Sequence, residues 1–155
     1  MGGILSASNF INGAVSQQES FNQNFTGTAD VAFTSGTLPI TLKNPTNVLL
    51  LADVNTYWST GSSYNTSHNA VVKMKIDGTI QERTTDQMRF ASGVGGGTVT
   101  ATMAIDQTSH SMHSLVNLGA GSHQFTLTGA LGSLSGALGT MIVYSYRMTY
   151  LRLGI

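Results

Sequence analysis

Residues 70–84 read Ala70-Val71-Val72-Lys73-Met74-Lys75-Ile76-Asp77-Gly78-Thr79-Ile80-Gln81-Glu82-Arg83-Thr84. Apolar and polar residues alternate up to Asp77-Gly78, the pattern of a strand with one buried and one wet face. A two-residue Asp-Gly loop supplies the positive φ angles of a type I′ turn, whose twist matches that of paired strands. Ala70–Ile76 and Thr79–Thr84 are therefore predicted to form an antiparallel hairpin.

Outward from the hairpin, alternation bounded by turn residues recurs along the chain. It predicts further strands at Thr28–Thr34, Leu38–Lys43, Val48–Val54, Thr98–Ala104, Ser109–Leu118, His123–Thr128 and Met141–Leu153. Pro39 and Pro45 are assigned to a strand start or a turn, because proline cannot donate to an interior ladder. No window combines a helical period with a cap. Nine short strands make an all-β, antiparallel β-sandwich. In the last strand, Tyr144, Tyr146, Met148 and Tyr150 alternate with Val143, Ser145, Arg147, Thr149 and Leu151, which predicts one aromatic-rich face.

The first 24 residues have a different texture. Glycine, asparagine and glutamine interrupt Ile4, Leu5, Phe10, Ile11 and Phe21, with no sustained period. The chain thus divides into an extended N-terminal arm, residues 1–24, and a β-sandwich domain, residues 25–155. The arm is too apolar for a solvated tail, and its five apolar residues are expected to bind a partner's surface.

Only 9% of the residues are charged, against about 25% in an ordinary soluble domain. Serine, threonine, asparagine and glutamine supply the polarity instead, giving a weakly hydrated surface suited to protein contact. Net charge is +0 with 7 basic residues spread along the chain, so there is no footprint for a phosphate backbone and nucleic acid is not an expected partner. Cysteine is absent, which excludes disulfides, thiolate nucleophiles and cysteine-ligated metals. Met1–Phe10 lacks a basic n-region and an apolar core, and Val48–Ala52 is too short to span a bilayer, so neither a signal peptide nor a membrane partner is expected.

No residue pattern points to catalysis. The carboxylates Glu19, Asp30, Asp53, Asp77, Glu82, Asp86 and Asp106 have no spacing that converges two of them, or one with a histidine. His110 and His113 fall on opposite faces of a strand and cannot share a metal. Gly132-Ser133-Leu134-Ser135-Gly136 lacks the strand-turn-helix setting of a nucleophile elbow, and Gly93–Gly97 lacks the lysine and helix of a phosphate cradle. Asp77 reads as a turn former, and Glu82, Arg83, Asp86 and Arg89 as a solvated, mutually neutralising patch. No enzyme, cofactor or metal is expected. Tyr57, Trp58 and Tyr64 lie in a polar stretch and form a candidate ligand or interface loop, since aromatic rings present a large face with little entropy to lose.

Leu118-Gly119-Ala120-Gly121-Ser122-His123-Gln124-Phe125-Thr126-Leu127, followed by the closing strand Met141–Leu153, resembles a pattern of phage virion proteins. In that pattern Gly121 permits a tight turn, Ser122 and His123 bond exposed backbone, and Phe125 and Leu127 point inward. The resemblance covers about the last forty residues. It implies a jelly-roll-like sandwich, commonly trimeric, of the kind found in capsid decoration proteins and tail-fibre modules. Two functions follow from it. One is a virion protein that trimerises and binds the major capsid protein on the outer shell, with the arm reaching a neighbour. The other is a tail receptor-binding module whose Tyr57, Trp58 and Tyr64 recognise a cell-surface glycan.

Overall fold

A computed structural model describes residues 10–60, 68–88, 107–131 and 139–153, with side chains described over 22–57, 71–84, 108–131 and 140–153. Eight strands fill these residues: β1 (Phe10–Phe25), β2 (Val31–Leu42), β3 (Thr46–Thr60), β4 (His68–Ile76), β5 (Thr79–Met88), β6 (Gln107–Leu118), β7 (Gly121–Leu131) and β8 (Gly139–Leu153). They build two antiparallel four-stranded sheets, β1-β8-β3-β6 and β2-β7-β4-β5. The chain is an all-β sandwich.

The hairpin expected around Asp77-Gly78 is present. Asp77 has φ 48° and Gly78 φ 79°, the two positive values that a type I′ turn demands. Among the described strands it is also the one place where consecutive strands stay in one sheet. Every other connection carries the chain from one sheet to the other, so the inward faces are fixed by pairings distant in sequence.

Inward residues follow the period of two. Val72, Met74 and Ile76 are buried while Val71, Lys73 and Lys75 are half-buried, and Val48, Leu50, Ala52 and Val54 do the same in β3. Phe125 and Leu127 of β7 are fully buried against them. At 25 cal/mol per Å², each such side chain contributes about 1.5–3 kcal/mol. At one side of the sandwich, Phe25, Phe33 and Tyr146 pack with their rings tilted, centroids 5.5 Å apart in each successive pair.

Several sequence expectations change. Phe10–Asn24, read as an arm, is nearly the whole of β1, paired with β8 of the same chain from Phe10↔Leu153 to Phe25↔Met141. Register shifts at Ile11/Val15 and Ser20/Gln23 break its alternation. The two strands expected across residues 28–43 are one, β2, kinked where the register shifts between Ala32 and Thr37. Pro39 lies inside β2, an outermost strand, where a missing donor is tolerated. In β8 a register shift at Asn55/Thr56 on the neighbouring strand splits the aromatic face: Tyr146, Met148 and Tyr150 are buried, but so is Val143, while Tyr144 turns outward. The expected strand Thr98–Ala104 and the Gly93–Gly97 loop lie outside the described residues.

Candidate interaction surface

On the outer side of β1-β8-β3-β6 the described outward positions of β3, β6 and β8 carry few charges. Cross-strand pairing puts Leu151, Leu49 and Leu115 in a single row, and Leu115 is 61% exposed. Next to it runs Thr149, Leu51 and His113. Polar rows flank these. On one side Asn117 donates its amide to Asn47 Oδ1 at 2.8 Å. On the other, Ser111 donates to Asp53 Oδ1 at 2.7 Å, with Arg147 directly across from Asp53. Farther along, Ser109 donates to Asn55 Oδ1 at 2.6 Å and Asn55 Nδ2 donates to Ser145 Oγ at 2.9 Å. These bonds pair the short polar side chains with one another beside the leucine rows.

At the far end of this face Tyr57 pairs with Tyr144, ring centroids 5.8 Å apart. Both rings are half-buried. Trp58 continues β3, its backbone opposite Met141, and its side chain lies outside the described residues, as does Tyr64 entirely. Ile4 and Leu5 also lie outside them. Phe10, Ile11 and Phe21 are placed in β1 by their backbone only.

Several of the described titratable groups hold backbone or one another in place. Asp77 Oδ1 accepts the Gln124 N–H at 2.8 Å, and Asp77 N–H donates to Gln124 O at 2.9 Å. Asp77 Oδ2 faces His123 Nδ1 at 2.7 Å, while His123 Nε2 faces Gly119 O at 3.0 Å. Both partners are acceptors, so both ring nitrogens donate only in the imidazolium form. The bond to Asp77, and then that to Gly119, raises the His123 pKa; the same histidine, and then the Gln124 N–H, lowers that of Asp77. Asp30 is likewise lowered, first by its bond from Lys73 Nζ at 2.6 Å and then by that from Lys75 Nζ at 2.9 Å.

His110 of β6 is buried between Thr84 of β5 and Thr56 of β3, its Nδ1 3.0 Å from Thr84 Oγ1 and its Nε2 3.3 Å from Thr56 Oγ1. His113 projects to the opposite, exposed side. Glu82 accepts the His113 N–H at 2.7 Å and ties the edge of one sheet to the other, while the side chains of Asp86 and Arg89, expected beside it in a neutralising patch, lie outside the described residues. Among the described residues no group of three or more His, Cys, Asp or Glu could hold a metal.

No family model matches this sequence, and no curated protein does either. The crystal structure of dimeric latent PorU from Porphyromonas gingivalis superimposes over 98% of this chain at 10% identity and a TM-score of 0.43, and this chain spans 14% of the length of that one. The fold assignment therefore stands on the strand ladders themselves.

The leucine rows were not singled out from the sequence. Leu49, Leu115 and Leu151 lie in three separate strands, and only the register between those strands aligns them. The half of the signal that a sequence does carry is an apolar residue at an outward position of an alternating strand, such as Leu115 between Ser114 and Val116 in β6.

Proposed function

We propose that the protein is a structural virion component, a capsid decoration protein that associates with copies of itself and binds the outer capsid surface. The observation that carries this reading is the outer face of β1-β8-β3-β6, where a leucine row sits in a hydrogen-bonded, weakly charged surround. Such faces mark contact with protein. The order β1-β8-β3-β6 opposite β2-β7-β4-β5, in which six of the seven steps between consecutive described strands cross between the sheets, supports reading the sandwich as a jelly roll, in keeping with the resemblance near the C-terminus.

The test is addition of the purified protein to capsid shells assembled without it. Cosedimentation with the shells, and a higher temperature of shell disruption, are the expected results. Absence of both overturns the decoration reading.

The Tyr57–Tyr144 ring pair favours a second reading, a tail module that stacks a sugar ring on these aromatics. In that case Tyr57→Ala abolishes attachment to cells and leaves shell binding out of the picture altogether.

A further inference from the structure

The face that carries the leucine rows bears few charges among its described positions. Of the outward positions described on β3, β6 and β8, the charged ones are Asp53 and Arg147, of opposite sign and directly across from each other on neighbouring strands. We propose that this face is a two-fold interface with a second copy of the chain, its axis parallel to the strands and running between β3 and β8. The inference rests on the reading of this face as an assembly surface and names its occupant.

Such an axis lays each β3 residue over the β8 residue that pairs with it, now on the other copy. Leu49 meets Leu151 of the partner subunit, and Asp53 meets Arg147 of the partner subunit, each contact made twice. Asn55 and Ser145 of the partner subunit meet in the same way. Face-to-face sheets align within about 30°, so this correspondence is tightest along the axis and loosens toward β1 and β6.

Charge selects this axis over its neighbours. Moved onto β3, the axis would bring Asp53 against its own copy; moved onto β8, it would bring Arg147 against its own. Like charges in contact oppose both arrangements, whereas the position between the strands pairs opposite charges twice. A three-fold axis cannot lay one face upon itself, because a self-complementary patch is the property of an isologous, two-fold contact. The trimer implied by the C-terminal resemblance would need a different surface.

The experiment is solution mass by light scattering for the wild type, Asp53→Arg, Arg147→Asp and the double variant. The wild type is expected to be a dimer. Each single variant sets like charges against each other and weakens association by about tenfold or more, and the double variant restores it. Asp53 also accepts the Ser111 hydroxyl, so circular dichroism and a thermal melt accompany each variant to establish that it is folded. A monomeric or trimeric wild type overturns the proposal, as does a folded double variant that stays dissociated. Wild-type dimers that ignore capsid shells would sink the virion reading and leave the interface standing; monomers that bind shells would do the reverse.

Discussion

Asp77 and His123 lock two turns together: a carboxylate at the tip of the β4–β5 hairpin grips an imidazole at the start of β7, Oδ2 to Nδ1 at 2.7 Å. The hairpin tip and β7 belong to one sheet and the residues before β7 come from the other, so this pair sits where the chain crosses over. The folded state raises the His123 pKa above 6.5 and lowers that of Asp77 below 3.8. Its histidine contribution is therefore complete below about pH 6.5 and lost as pH rises through the folded value; its aspartate contribution is complete above about pH 4 and lost as pH falls through the folded value. Asp77 is about half exposed, so solvent screening holds the effect to about 0.2–1 kcal/mol. Urea midpoints should fall between pH 5.5 and 8 for the wild type. In His123→Asn that slope should flatten, and an unchanged slope would place the titration elsewhere.

The hairpin turn makes a second prediction, separable from packing. A Cβ at Gly78 would meet nothing within 4 Å, yet its φ is +79°. Gly78→Ala should cost about 1–2 kcal/mol from backbone conformation alone. Gly36 is the opposite case. There a Cβ would fall 2.5 Å from Phe33 Cβ and 2.9 Å from Phe33 O, atoms that cannot swing away. Gly36→Ala should be the more destabilising of the two, read as the larger drop in melting temperature.

Tyr146 is buried and donates its hydroxyl to Thr34 O at 2.9 Å, reaching from one sheet to the other. Tyr146→Phe keeps the ring contact with Phe33 and removes that bond, at a cost of about 1 kcal/mol. Phe125→Ala, by contrast, empties a fully buried site in the centre of the sandwich and should cost about 3–5 kcal/mol. Equal losses in chemical denaturation would show that the inter-sheet hydrogen bond carries more than its ordinary share.

What the sequence made legible was what is local. The β4–β5 hairpin is written in a turn of two residues and the strands that touch it, the inward Phe125 and Leu127 follow from unbroken alternation, and β8 follows from alternation beyond Tyr144. Legibility failed at irregularities. The two register shifts in β1 hide a strand among glutamines and asparagines, the kink between Ala32 and Thr37 makes β2 look like two strands, and the extra residue at Tyr144 turns that ring out of the core. The interaction surface was the least legible part, because Leu49, Leu115 and Leu151 meet only through pairings about a hundred positions wide at the extreme, and the sign match of Asp53 with Arg147 is equally a matter of register.

Gln23 offers a last prediction, because its side chain imitates a strand. Its Nε2 donates to Ala32 O at 3.0 Å and its Oε1 accepts the Thr34 N–H at 2.7 Å, so one amide satisfies both the donor and the acceptor that the kinked edge of β2 presents. Gln23→Ala removes both bonds and should cost about 0.5–1.5 kcal/mol for each partner that water does not replace. Gln23→Glu has the same shape but a different sign. The carboxylate still accepts from Thr34, yet it has no proton for Ala32 O and sets negative charge against a carbonyl. Protonation restores the donor, so the folded state should raise the pKa of this glutamate, and the variant should lose stability against the wild type as pH rises through that value. Thermal melts at pH 4 and pH 7 decide it: a gap to the wild type that widens at pH 7 is expected, and a gap independent of pH would mean that Gln23 contributes through packing instead of through its two hydrogen bonds.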